Sequence, residues 1–123
     1  MERIGAIRGA TTAKGNTREE ILAATRELIT ELVRRNKLDP EDVISVFFTV
    51  TPDLNAAFPA EAARQLGYTG WPMLDSVAVA VPGALPRCIR VLFHVSLGDS
   101  GREVCHVYLR EAKRLRPDWA GAD

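Results

Sequence analysis

Cys88-Ile89-Arg90-Val91-Leu92-Phe93-His94-Val95 is the stretch on which the fold reading turns. It is β-branched and aromatic, holds no Gly or Pro, and reads as a buried strand. Arg90 stands in its middle. A guanidinium cannot shed its proton, so burying it requires anionic partners. No acid lies within the strand, so the partner is either a distant Asp or Glu or an anionic ligand.

A second arginine has a similar setting. The opening segment from Arg3 to Thr12 has short-strand character, and alternation puts Arg8 on a face with Ile4, Ala6 and Ala10. Gly9 beside it permits a turn or the close approach of a ligand. Near the C-terminus, Val104 to Leu109 reads as another strand, with Tyr108 and His106 on one face. Three strands thus present Arg, Arg and Tyr. Such a set suits a small anion with carboxylates, because the planar fork of Arg matches them.

The chain has 123 residues and reads as a single domain over 1–123. Its 46% hydrophobic and 26% charged residues are ordinary for a globular protein, and its 16 acids balance 16 bases. That balance leaves no electrostatic footprint for nucleic acid or a membrane surface. Cys88 and Cys105 lie in expected strands and read as small buried hydrophobes, unpaired in a reducing compartment. No signal sequence opens the chain and no apolar run reaches the roughly 18 residues of a membrane span. A cytoplasmic location is expected.

Further along, Thr17 with Glu20 makes a capping-box pattern. Ile21, Leu22, Leu28, Ile29, Leu32 and Val33 then form one helical apolar stripe. Asp39-Pro40-Glu41-Asp42 reads as a capped helical turn. Val43 to Thr51 is a continuous apolar run and a central strand. A short helix is expected over Ala60 to Leu66, stopped by Gly67. Short extended pieces follow from Trp71 to Val81. A hairpin loop is expected at Gly98-Asp99-Ser100-Gly101, and a mobile tail over 117–123. The order points to an α+β fold, a mixed sheet with helices on one face. The uncovered sheet face implies oligomerisation.

Familiar covalent and metal chemistry is missing from the pattern. His94 and His106 have no zinc-site spacing and read as strand histidines with a hydrogen bond. There is no G-x-S-x-G elbow and no phosphate loop. A reaction that needs only positioned charge fits what remains.

Four separated segments then coincide with one family: IRGATT at Ile7 to Thr12, TPDLNAAFPAEAAR at Thr51 to Arg64, PGALPRCIRV at Pro82 to Val91, and HVYLREAKRLRPD at His106 to Asp118. Across essentially its whole length the chain resembles the monofunctional, trimeric Bacillus-type chorismate mutases. The resemblance implies a mixed sheet against helices, a pseudo-barrel homotrimer with active sites at subunit interfaces, and no cofactor or metal. It implies conversion of chorismate to prephenate by an intramolecular Claisen rearrangement, on the route to phenylalanine and tyrosine. By resemblance, Arg90 donates to the ether oxygen and to the side-chain carboxylate. Arg8 and Tyr108 resemble the groups that hold that carboxylate. Phe58 resembles an apolar pocket wall with Ala60 beside it. Arg64, Leu115 and Arg116 resemble groups at the pocket mouth, facing the ring carboxylate.

One departure matters. The family carries a glutamate that binds the ring hydroxyl and offsets positive charge on the ring, and this chain has Ala78 there. Asp75 stands three residues earlier, where the family often has a small neutral residue. Asp75 is expected to supply the missing carboxylate, kept ionised by nearby Arg90. Leu74, Ser76, Val77 and Ala78 flank it along the same wall. Two alternatives stand beside this reading: a trimeric Rid-type imine deaminase, and a non-catalytic chorismate or prephenate binder that lost its glutamate.

Overall fold

A computed structural model describes residues 3–99 and 101–120. Thr17 accepts a hydrogen bond from the Glu20 N–H at 3.1 Å and starts helix α1, Arg18–Asn36. This satisfies one of the free donors at a helix start. Lys37, at φ 50°, ends the helix in the left-handed region. The expected stripe is the buried one: Ile21, Leu22, Leu28, Ile29 and Leu32 all lie inside.

Five strands make one mixed sheet: β1 Arg3–Thr12, β2 Val43–Val50, β3 Met73–Val77, β4 Cys88–Gly98 and β5 Val107–Tyr108. Their order across the sheet is β3-β2-β4-β1-β5. β4 runs antiparallel to both β1 and β2, while β2 pairs with β3 and β1 with β5 in parallel. A 3-10 turn at Pro40–Asp42, capped by Asp39, leads into β2. Helix α2, Ala60–Gln65, ends before Gly67 at φ 96°. A second 3-10 turn spans Arg110–Arg114.

Strand alternation sorts the side chains. Ile7 on β1, Val46 and Phe48 on β2, and Val91, Phe93 and Val95 on β4 pack with Leu28, Ile29 and Leu32 of α1 in one core. The other face carries Ile4, Ala6, Arg8, Phe47, Leu92 and His94 and stays partly open, with the segment after β5 packed over its Ala10 and Tyr108. Burial of the apolar face is the dominant stabilising term. This is the mixed sheet with helices on one face expected from the sequence.

Several expectations change in detail. Gly9 faces α1, not a ligand: a Cβ there would come within 3.0 Å of Leu32 Cδ1 and 3.1 Å of the Val107 carbonyl oxygen. The run from Val43 is not buried on both sides, since Phe47 is 40% exposed. The strand expected from Val104 shrinks to Val107–Tyr108. Side chains replace its missing ladder. Asn36 Oδ1 accepts from the Cys105 N–H at 2.7 Å, and Asn36 Nδ2 donates to the Cys105 carbonyl at 2.8 Å. The chain expected to be mobile from 117 forms a helical turn, α3, over Pro117–Ala120. The segment expected as a hairpin loop does not join neighbouring strands, because β1 lies between β4 and β5; its Ser100 and residues 121–123 lie outside the described residues. Both cysteines are free, as expected. No described helix is long and apolar enough to cross a membrane.

Candidate active site

On the open face, one row of paired residues crosses all five strands. It reads Ser76, Thr49, Arg90, Ala10, Tyr108 from β3 to β5. The small Ala10 separates the guanidinium of Arg90 from the phenol of Tyr108. Three atoms of this row are buried without a hydrogen-bond partner: Thr49 Oγ1, Arg90 Nε and Tyr108 Oη. Each such atom costs about 1–3 kcal/mol when left unpaired. Natural folds rarely leave several together, and here they share one face and one line. The fourth, Thr11 Oγ1, faces the helix side.

Arg8 sits one row away, paired with Leu92. Its backbone N–H donates to His106 Nδ1 at 2.9 Å. Among the described residues no carboxylate pairs with the guanidinium of Arg8 or Arg90. The distant acid left open by the sequence is therefore absent from the described part of the chain. Burial pushes the Tyr108 hydroxyl up, and the charges of Arg8, Arg116 and Arg90 draw it back. Tyr108 thus stands protonated as a donor among three cations. Burial also pushes the Cys88 thiol up, against a hydrogen bond from Arg90. Cys88 is therefore an inert neighbour.

The last segment closes this side. Tyr108, Ala10 and Ala112 form a small buried cluster with Leu85, Leu115 and Trp119 packed on it. Arg116 lies with its Cζ 3.4 Å from the centre of the Trp119 ring and donates to Asp118 at 2.8 and 3.1 Å. The structure therefore brings Arg8, Arg90, Tyr108, Leu115 and Arg116 to one side of the sheet.

Of the remaining site residues Ser76 stands in the row, and the others lie around α2 and along the β3 edge. Pairing with Phe48 turns Asp75 to the helix side of the sheet, away from Arg90. Its Oδ1 accepts from the Ala60 N–H at the start of α2, at 3.0 Å. Burial raises its pKa, opposed first by that hydrogen bond and then by the charge of Arg64. The expectation that Arg90 keeps Asp75 ionised is thus corrected: the nearby cation is Arg64, and desolvation outweighs it. Phe58 is 68% exposed, and Leu74 and Val77 are exposed at the sheet edge. Leu74, Ser76 and Ala78 fall on the Arg90 side by alternation. The Ser76 hydroxyl reaches the Phe48 carbonyl at 3.4 Å, and the Ala78 N–H donates to Val50 at 2.8 Å.

Sequence reasoning missed Thr49, whose place in the row depends on register, and Trp119, whose contact depends on the turn at α3. His106 read only as a strand histidine with a hydrogen bond. The hydrogen bond is there, as it is for His94 with Ser45 at 3.0 Å. Among the described residues no three of His, Cys, Asp and Glu converge as a metal site would require. What the row can do is grip an anion bearing carboxylates and place donors where negative charge grows.

The comparisons agree with this chemistry. Residues 4–119 match the family described as chorismate mutase type I. The chorismate mutase AroH of Thermus thermophilus is 50% identical over 117 residues, covering 94% of this chain and 96% of the relative. The AroH of Bacillus subtilis is 42% identical over 118 residues, covering 94% and 91%. A solved chorismate mutase from Clostridium thermocellum superposes with a TM-score of 0.84 at 46% identity, covering 89% of this chain and 98% of its own. With its fold, the family match over 4–119 and relatives aligned over nearly their full length in accord, the chain belongs to the chorismate mutase type I family.

Proposed function

We propose that this protein rearranges chorismate to prephenate by preorganised electrostatics, with no covalent intermediate and no cofactor. The observation that carries the reading is the row holding Arg90 Nε, Tyr108 Oη and Thr49 Oγ1 unpaired, with no carboxylate opposite. Chorismate is a dianion whose ether C–O bond breaks as a C–C bond forms, so negative charge grows on the ether oxygen. Arg90 donates to that oxygen, and a buried donor aimed beforehand at developing charge is usually the largest catalytic contribution. Arg8 and Tyr108 hold the side-chain carboxylate and favour the compact conformer in which the carbons meet. Arg116 and Leu115 close the mouth.

Phe58, Ala60, Arg64 and Asp75 lie around α2 and the sheet edge, apart from that row within one chain. We place them in the site of a neighbouring subunit of a homotrimer, with active sites at the interfaces and the protein in the cytoplasm. The exposed apolar side chains on the open face and at the β3 edge support an assembly. In this arrangement Asp75 supplies the carboxylate that Ala78 lacks, breaking its hydrogen bond to Ala60 or sharing it with the substrate hydroxyl.

A second reading has its own observation. Asp75 is already engaged by Ala60, and position 78 has no charge, so a binder without turnover fits these two facts. Nothing in the comparisons supports the imine deaminase alternative. The deciding experiment is chorismate consumption by the purified protein, with prephenate identified as product. Turnover supports the catalytic reading. Binding of chorismate without turnover supports the binder.

A further inference from the structure

We propose that His106 is a positioning residue for this site, its imidazole joining the backbone of Arg8 to the segment that carries Arg116. The kinetic part of this proposal rests on the chorismate mutase reading; the coupling itself does not.

His106 lies just before β5, where ladder pairing with β1 has not begun: the first paired residues are Gly9 and Val107. The Arg8 N–H would face no carbonyl there, and Nδ1 of His106 takes it at 2.9 Å. An acceptor Nδ1 means a neutral ring with its proton on Nε2. The same ring stacks on Trp119, with centroids 3.9 Å apart and planes at 29°. Trp119 in turn carries the guanidinium of Arg116 at 3.4 Å. One imidazole therefore touches, at one remove each, two arginines that face Tyr108. The charged groups around it are Arg8 from β1, Arg116 and Asp118 from the tail, and Arg3, Arg102 and Glu103 on the groove it lines.

Protonation would break the hydrogen bond and put a positive charge on the ring stacked against Trp119. Imidazolium cannot accept from the Arg8 N–H, and it repels Arg8 and Arg116. Burial and these two arginines also hold the pKa of His106 below the ordinary histidine value. The switch therefore lies on the acid side, at a pH below about 6.5.

Two substitutions separate the contacts. His106→Phe keeps a ring for Trp119 and removes the acceptor. His106→Asn keeps an acceptor near Nδ1 and removes the ring. The expected result for His106→Phe is a KM for chorismate raised about tenfold, the scale of one lost hydrogen bond, with little change in kcat. His106→Asn recovers part of that loss. In the unsubstituted protein KM rises as pH falls through the His106 transition, and neither variant shows that limb. Trp119 and Trp71 are the two tryptophans, so a Trp71→Phe background makes emission report on Trp119 alone. That emission should titrate with His106 and stop doing so in His106→Asn. If Trp71→Phe does not fold, the difference in emission between the unsubstituted protein and His106→Asn gives the same information. An unchanged KM in His106→Phe, or Trp119 emission flat across the acid range, overturns the proposal. If the unsubstituted protein does not turn over chorismate, the functional reading fails, while the emission titration still decides the coupling.

Discussion

The two faces of strand β4 obey different rules. Ile89, Val91, Phe93 and Val95 point to the helices and are buried in tightly shared contacts. Arg90, Leu92, His94 and Ser96 point the other way and are only partly covered. On the first face every group has neighbours and none has chemistry left to offer. On the second, Arg90 Nε is buried without a partner and keeps a donor to offer. A fold can thus invest its stability on one side of a sheet and leave the other side poised for a ligand.

Removing Arg90 tests this division most severely. Arg90→Met should lower kcat/KM by about a thousandfold, near 4 kcal/mol, as loss of a key donor to developing charge does. Thermal unfolding should not move downward, because an apolar chain replaces a guanidinium with an unpaired Nε. A large fall in stability would show that the open face is structural after all. Phe93→Ala makes the opposite change one face over. It should cost about 3–5 kcal/mol of stability, measured by denaturant unfolding, while the folded fraction keeps its rate.

Asp75→Asn comes next in size. Its Oδ1 still accepts from Ala60, so the fold should hold, while turnover should drop about a hundredfold if the charge acts on substrate. Unchanged turnover would remove Asp75 from the mechanism. Ala78→Glu puts a carboxylate on the Arg90 face and should raise kcat by about tenfold; a slower enzyme would mean that position 78 does not face the reacting ring. The smallest effect is in pH. Burial raises the pKa of Asp75, so kcat/KM should fall on acidification at a pH above the ordinary value of about 3.9. The sign for stability is opposite: a raised carboxylate pKa favours the folded state below the unfolded value, and that gain is lost as pH rises through the folded one. Activity and stability should therefore part company on the acid side.

Much of this was legible in the residues. Arg90 amid apolar neighbours, the Thr17 cap and the stripe of α1 follow from local rules, and each stands where those rules put it. Arg8 and Tyr108 were readable because alternation needs only a strand. Asp75 was not, because which way it points depends on pairing with Phe48, a partner 27 positions back whose register no local pattern encodes. β5 was misjudged for a related reason. Val104 to His106 have strand-like composition, but Asn36 takes the Cys105 backbone groups that a ladder would need.

The position of β1 has a consequence for how the chain is made. Its neighbours in the sheet are β4 and β5, the last two strands to be synthesised. During translation the first ten residues of the sheet have no partner until nearly the whole chain has emerged. Pairing across such separations is slow, since loop closure precedes any reward. A prematurely ended product would display β1 as a bare edge, ready to join another chain. The topology therefore makes the emergence of β4 a condition for closing the sheet around β1.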